Sequence, residues 1–140
     1  MQNATEVGSD TFVKSLPTGL FINGEFQDSL SGERFDVLNP ATGKILTTVA
    51  NATPEDAARA MDVAVQAQSQ WQFTPPRVRS EILRRAYELM TTTYRDDLAR
   101  VMTLEMGKPL NQAHAEVLYG AEFLRWFAEE AVRIRGDYFR

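Results

Sequence analysis

Residues 98–110 read LARVMTLEMGKPL, and a second helical pattern follows that ends in FLRWFAEEA at residues 123–131. The first pattern has apolar residues at helical spacing, namely Leu98, Val101 and Met102. Glu105 continues the same stripe three residues later. Gly107 favours the end of this helix because glycine adopts positive φ without steric cost, and Pro109 favours the start of another. Glu105 is therefore expected in the last turn of a helix, on or beside its buried face.

Glu105 has two interpretations at that position. A carboxylate at a helix C-terminus faces the negative end of the helix dipole, so it needs solvent or a cation nearby. The first interpretation leaves Glu105 in solvent or paired with Lys108, three residues further on. The second gives it a buried role with a compensating cation. The spacing alone favours the first.

Composition excludes several classes of function. The chain has 140 residues, enough for one domain with a hydrophobic core, and a net charge of −4. Its basic residues are scattered, which argues against nucleic acid and anionic membrane as partners. It has no cysteine, so disulfides, a thiolate nucleophile and thiolate metal ligands are excluded within these residues. The single histidine, His114, is expected on a helix surface rather than in catalysis.

The first eighteen residues are polar and lack both a basic leader region and an apolar run. No stretch of the chain approaches the roughly twenty apolar residues that span a bilayer. We therefore expect residues 1–18 to form a mobile tail, residues 19–140 to form the folded part, and the protein to be cytoplasmic.

Two pairs of strands are predicted next. Asn23-Gly24 lies between apolar residues in the segment 20–26, and this dipeptide favours a two-residue type I′ hairpin turn. Residues 35–50 alternate apolar and polar side chains on both sides of a turn at 40–43. A small antiparallel sheet without a site is the expected role of most of these side chains.

Four helices are predicted after the strands. Thr53 and Pro54 form a helix start, and the expected buried stripe of that helix is rich in alanine: Ala57, Ala60, Met61, Ala64, Val65, Gln68 and Trp71. The last helix is apolar on more than one side, because Phe123 and Trp126 widen its stripe. Residues 135–140 then predict a turn and the beginning of a strand. This surplus of apolar surface leads us to expect the leading part of a larger protein.

Several segments, in this order, resemble the N-terminal region of the aldehyde dehydrogenase superfamily. They are FINGE at 21–25, VLNPATG at 37–43, the alanine-rich helix ending in Trp71, RSEILRRA at 79–86, LEMGKP at 104–109 and FLRWFAEE at 123–130. The resemblance covers residue 19 to the end. The last two segments are most similar to the succinate-semialdehyde dehydrogenase branch.

The resemblance implies an α/β fold, with the N-terminal strands and outer helices of a Rossmann-like cofactor domain that is incomplete here and ends before the catalytic domain. It implies oxidation of an aldehyde to a carboxylate by a cysteine thiolate, with hydride transfer to NAD or NADP. The family's nucleophile, base, oxyanion donors and dinucleotide-contacting loop all lie later in the chain. We therefore expect these residues alone to be inactive. The resemblance also implies that the complete protein is a homodimer or homotetramer.

Two sites follow from the resemblance. Some members bind a monovalent cation through a carboxylate that matches Glu105 and a backbone carbonyl that matches Val37, with a third ligand from beyond residue 140. The helix that matches residues 110–131 lines the substrate entrance in the family, which makes Phe123 and Trp126 candidates for its wall. Packing in a core is the favoured alternative for these two aromatic residues.

Two other classes of protein remain as alternatives. A stand-alone helical interaction module would use the surplus apolar surface for binding, and it would fold cooperatively as 140 residues. A cofactor-binding domain without catalysis would need a glycine-rich phosphate loop at a helix N-terminus, and the sequence contains none.

Overall fold

The computed structural model describes residues 11–134 and 136. These residues form two compact units. The first holds the described residues up to Gln72 together with Leu104–Gly107, and the second holds Phe73–Thr103 and the described residues from Lys108 onward.

The first unit begins with the predicted hairpin. Strands β1 (Leu20–Ile22) and β2 (Glu25–Gln27) pair antiparallel, with Ile22 opposite Glu25. Asn23 and Gly24 have φ angles of 56° and 82°, the left-handed values that a type I′ turn requires. The hairpin prediction is confirmed at the residues that were expected to form its turn.

A second hairpin consists of β3 (Arg34–Leu38) and β4 (Ile45–Ala50), again antiparallel. The two hairpins form separate two-stranded sheets. The pairing is irregular between Val37 and Leu38, where the ladder of β3 is interrupted. The turn at its far end is closed by a hydrogen bond of 2.8 Å from the Gly43 amide to the Asn39 carbonyl.

Helix α1 (Pro54–Trp71) starts where the sequence predicts, after the cap Thr53. Its alanine-rich stripe, however, is not buried. Met61 and Val65 are each about two thirds exposed, and most of the stripe faces solvent. The prediction of a buried stripe is wrong for the described residues, because periodicity identifies an apolar face but not the surface that would cover it.

The second unit is helical. Helix α2 (Pro76–Thr91) packs against α4 (Leu110–Glu130), and the first part of α3 (Arg95–Met106) contacts α4 through a small core. That core contains Ala99, Ala113 and Val117, with Met102 packed against them. Two of its three buried members are alanines, so it holds few apolar atoms.

The ends of the chain are described only in part. Residues 11–14 form a helical turn and Val13 is buried, so this portion of the expected tail is folded onto the unit. The rest of the expected tail, residues 1–10, lies outside the described residues, as does the strand predicted near residue 140.

No helix in the described part of the chain has the length and apolar character needed to cross a membrane.

Candidate functional site

Glu105 lies in the last turn of α3, as predicted, and its side chain is exposed, as the interpretation favoured by the spacing expects. Lys108, the expected partner, instead forms an ion pair with Glu116. Val37 lies in β3 opposite Thr47 and is half-buried. Both candidate cation ligands belong to the first unit.

The end of α3 lies against the turn that follows β3. Gly107 has a φ of 73°, and a Cβ atom at this position would lie 3.1 Å from the Pro40 Cγ atom. A side chain here would therefore be strained and crowded. This contact brings the segment after Glu105 next to the segment that follows Val37, and glycine makes the approach possible.

Phe123 and Trp126 line an open groove on α4 with a volume of about 380 Å³. Its other lining residues are Tyr119, Glu122 and Phe127. The Tyr119 and Phe123 rings meet edge to face, with centroids 5.2 Å apart. Trp126 is 61% exposed, so within the described residues neither aromatic candidate packs in a core. We call this surface the aromatic groove.

Sequence reasoning missed the most buried polar residue of the first unit. Asp56 lies in the first turn of α1 and is only 1% exposed. Its carboxylate accepts hydrogen bonds from the Ser29 hydroxyl at 2.9 Å, the Leu30 amide at 3.2 Å and the Thr53 amide at 3.0 Å. The Thr53 hydroxyl in turn accepts the Asp56 amide at 3.1 Å, which completes a capping box.

These donors stabilise the charged form of Asp56. The Thr53 amide is the largest cause that lowers the pKa of Asp56, and burial opposes it. Hydrogen bonds from Ser29 and Leu30 add to the lowering, so the pKa falls from 3.8 to about 2. A capping box could have been found from Thr53 and an acidic residue three positions later. The contacts with residues 29 and 30 have no signal in the sequence.

A second concavity of about 750 Å³ lies between helices α2 and α4, and its lining consists mainly of arginine and glutamate side chains. Arg84 pairs with Glu81 and Glu88, and Arg125 pairs with Glu122 and Glu129. The hydrogen bond from Arg84 lowers the pKa of Glu81. Because each of these two arginines already has carboxylate partners, the surface is not arranged to bind an anion.

His114 lies on α4, partly exposed, with its Nε2 atom 3.7 Å from the Asp96 carboxylate. This agrees with its expected position on a helix surface. Residues 11–134 and 136 contain no group of three acidic, histidine or cysteine side chains that could hold a metal ion. A cation at Glu105 would therefore depend on backbone carbonyls and on ligands from elsewhere.

The model of the aldehyde dehydrogenase family matches residues 26–140. The chain belongs to the aldehyde dehydrogenase family. The match includes the helix that carries Glu105, the Gly107–Pro40 contact and the aromatic groove. The family resemblance inferred from the sequence motifs is thereby confirmed.

Two curated relatives show which members of the family this chain is similar to. A succinate-semialdehyde dehydrogenase of Paenarthrobacter nicotinovorans is 58% identical over 94 residues, which are 67% of this chain and 21% of that protein. The succinate-semialdehyde dehydrogenase [NADP(+)] of Escherichia coli is 46% identical over 116 residues, which are 83% of this chain and 24% of that one.

A solved structure agrees with the fold. The succinate-semialdehyde dehydrogenase of Burkholderia pseudomallei superposes with a TM-score of 0.84 and 36% identity, covering 100% of this chain and 27% of that one. The α/β strands and helices are thus those of an aldehyde dehydrogenase cofactor domain, present in part. The chain spans about a quarter of the length of the curated relatives it matches.

Proposed function

We propose that the complete protein is an NAD- or NADP-dependent aldehyde dehydrogenase that oxidises succinate semialdehyde to succinate and works as a homodimer or homotetramer. The family match over residues 26–140 supports this, together with relatives named for that substrate at 58% and 46% identity. The relative at 58% identity carries the most weight, because its identity over the matched residues is the higher of the two.

The role proposed for this chain is structural. It contributes the first strands and the outer helices of the cofactor domain, and the chemistry belongs to other residues of the fold. The resemblance implies a thiolate that attacks the aldehyde carbon, and these 140 residues contain no cysteine. We therefore propose that the chain alone is inactive. Incubation with succinate semialdehyde and NAD or NADP should give no reduced cofactor above the blank, and turnover would refute the proposal.

The N-termini of α1, α2 and α3 do not suit the pyrophosphate of a dinucleotide. The first turns of α1 and α3 carry acidic residues, Glu55 and Asp56 in one and Asp96 and Asp97 in the other. These charges repel the pyrophosphate that a helix N-terminus would otherwise attract. Helix α2 begins at Pro76, which has no backbone N–H, so its first turn lacks one of the donors that would bind an anion. We assign no step of hydride transfer to these residues.

A chimera tests the proposed function directly. This chain would replace the matched segment of the Paenarthrobacter relative, followed by the remainder of that protein. We expect the chimera to reduce NAD or NADP with succinate semialdehyde, because 58% of the matched positions are already identical. The matched control carries a nonfamily helical segment of equal length and should be inactive. A chimera that folds, by circular dichroism, but has no activity would contradict the proposal.

For the cation, we propose that Glu105 and the Val37 carbonyl bind a monovalent ion. Three observations support this. The Glu105 carboxylate lies at the C-terminus of α3, where the helix carbonyls add negative potential that a cation would offset. The pairing of β3 is irregular just after Val37. The contact between Gly107 and Pro40 brings the two segments together.

The cation proposal can be tested in the chimera. Potassium or sodium chloride should raise its melting temperature above that in tetramethylammonium chloride of equal ionic strength, since only the small ions fit a site of oxygen ligands. Glu105→Gln should abolish this difference, whereas Glu33→Gln, an exposed glutamate of the same unit, should preserve it. Equal responses of the two variants would contradict the proposal.

For the substrate entrance, we propose that the aromatic groove forms part of its wall in the complete protein. Its open, apolar lining at Phe123 and Trp126 supports this. In the chimera, Trp126→Ala should raise KM for succinate semialdehyde more than it lowers kcat. Phe73→Ala is the control, because Phe73 is highly exposed and lies outside the groove. Packing in a core, the alternative, predicts instead a loss of stability without a selective change in KM.

A non-catalytic interaction module remains the second candidate, and the exposed aromatic groove is the observation that favours it. The two functions differ in what the isolated chain does. The module should be monodisperse and should unfold cooperatively, whereas part of a dehydrogenase should aggregate or stay loosely packed with exposed apolar surface. Size-exclusion chromatography and thermal unfolding of the 140-residue chain distinguish them.

A further inference from the structure

The turn between β1 and β2 combines two features that matter for chemical modification. Asn23 is directly followed by Gly24, and both residues are exposed. The chain has four other asparagines, and each of them precedes a residue other than glycine: Asn3, Asn39, Asn51 and Asn111. We propose that Asn23-Gly24 is a site of spontaneous succinimide formation, which converts Asn23 to aspartyl and isoaspartyl forms.

The reaction needs a backbone nitrogen that can reach the side-chain amide carbon. Glycine has no Cβ atom to obstruct this approach. The space around Gly24 is also open, because apart from its chain neighbours no heavy atom lies within 4 Å of the position that a Cβ atom would take. Ile22 and Glu25 form the pair that closes the hairpin, so the Gly24 amide lies outside the strand ladder. Within the described residues, the Asn23 side chain has no hydrogen-bond partner that would hold it away from the backbone.

The atoms balance without an oxidant or reductant. The Gly24 backbone nitrogen loses its proton and forms a bond to the Asn23 Cγ atom, and the bond from Cγ to the amide nitrogen breaks. Ammonia leaves with that proton, and a five-membered ring remains. Water then opens the ring at either carbonyl carbon. Attack at one carbonyl gives an aspartyl residue, and attack at the other gives an isoaspartyl residue whose backbone runs through the former side chain.

The hairpin is sensitive to this change. A two-residue loop sets the register in which Phe21 faces Phe26, and their rings lie 4.9 Å apart. An isoaspartyl link adds one backbone carbon to that loop, so the register can no longer be kept without strain. Each strand has only three residues, and a hairpin of that length has little stability to oppose opening.

Ageing of the chain tests the proposal. The protein is incubated in mildly alkaline buffer at physiological temperature, and peptides are mapped by mass spectrometry over time. We expect the peptide with Asn23 to gain the mass difference between an amide and an acid several times faster than the peptide with Asn51. Asn51 is a matched internal control, because it is also exposed but precedes Ala52. An isoaspartyl-specific methyltransferase should label the same aged peptide.

A substitution at Gly24 separates the effect of the glycine itself from the effect of the folded turn. Gly24→Ala keeps Asn23 but adds the Cβ atom that obstructs attack, and it should slow the conversion even in denaturant, where the turn is absent. Equal rates at Asn23 and Asn51 in the native chain would overturn the proposal. Conversion of Asn23 only in denaturant would also overturn it, because the folded turn would then protect the site.

Discussion

Asp56 is 1% exposed although it is charged, whereas Trp126 is 61% exposed although it is aromatic. The carboxylate is surrounded by donors that the chain itself provides, from Ser29, Leu30 and Thr53. The indole belongs to the aromatic groove, whose apolar lining faces solvent within the described residues. The two regions thus reverse the usual distribution of charged and apolar side chains.

The difference shows which interactions the chain completes by itself. Hydrogen bonds to Asp56 need only a few well-placed atoms, and a helix start with one adjacent loop supplies them. Covering an apolar helix face needs another surface of similar area. In the described part of the second unit the buried residues of α4 are all small, namely Ala113, Val117, Ala121 and Ala128, and the aromatic side of α4 stays uncovered. The described residues therefore complete the hydrogen bonds of Asp56 but do not cover the apolar face of α4.

Removal of the Asp56 carboxylate should have the largest effect. In Asp56→Ala the Ser29, Leu30 and Thr53 donors lose their shared acceptor, and the loop at 29–31 should detach from the start of α1. Amide hydrogen exchange at Leu30 should approach the rate of an unprotected amide. Asp62→Ala is the control, because Asp62 is exposed on the same helix. Unchanged protection at Leu30 would show that the loop is held by something else.

Protonation of Asp56 should have the next largest effect. Its pKa of about 2 in the folded chain lies below the ordinary 3.8, so the network stabilises the fold above pH 3.8. This contribution is lost as the pH falls from 3.8 through about 2. An NMR titration of the Asp56 carboxyl carbon should have its midpoint near 2, and Ser29→Ala should move that midpoint toward 3.8. A midpoint at 3.8 in the unsubstituted chain would contradict the observed geometry.

The Thr53 cap should contribute less to stability than the Asp56 carboxylate does. Thr53→Ala removes the hydroxyl that accepts the Asp56 amide and should lower the free energy of opening of the first turn of α1 by about 1 kcal/mol. Hydrogen exchange at Ala57, whose amide donates to the Thr53 carbonyl, reports this opening. Thr53→Ser keeps a hydroxyl and should be nearly neutral. A loss of similar size in both variants would point to packing of the threonine methyl group instead.

The sequence was informative wherever the decisive interactions are local. The Asn23-Gly24 turn, the Thr53 cap and the helix end at Gly107 each depend on neighbouring residues, and all three lie where they were expected. The burial of Asp56 depends on Ser29, which is 27 positions away, and no spacing rule connects the two. Helical periodicity likewise found the apolar faces of α1 and α4, but it carries no information on whether a partner surface is present.

Glu105 illustrates the same limit at the candidate site. The stripe placed it correctly in the last turn of α3, and the spacing alone favoured a carboxylate in solvent or paired with Lys108. The side chain is exposed, and the neighbouring lysine pairs with Glu116. Sequence spacing therefore located the carboxylate along the helix, but it did not predict that Lys108 would pair with Glu116 instead.

Replacement of the aromatic groove should have the smallest effect on stability. Trp126 and Phe123 face solvent within the described residues. Each of the substitutions Phe123→Gln and Trp126→Gln should therefore change the free energy of unfolding by less than about 0.5 kcal/mol, as is usual for exposed positions, and the double variant combines them. Binding of the dye ANS should fall, because the dye reports exposed apolar surface. The control, Val117→Ala, removes buried atoms from the core and should lower helix stability without reducing dye binding. A large loss of stability in the double variant would mean that the chain covers this surface in solution, and the contrast with Asp56 would disappear.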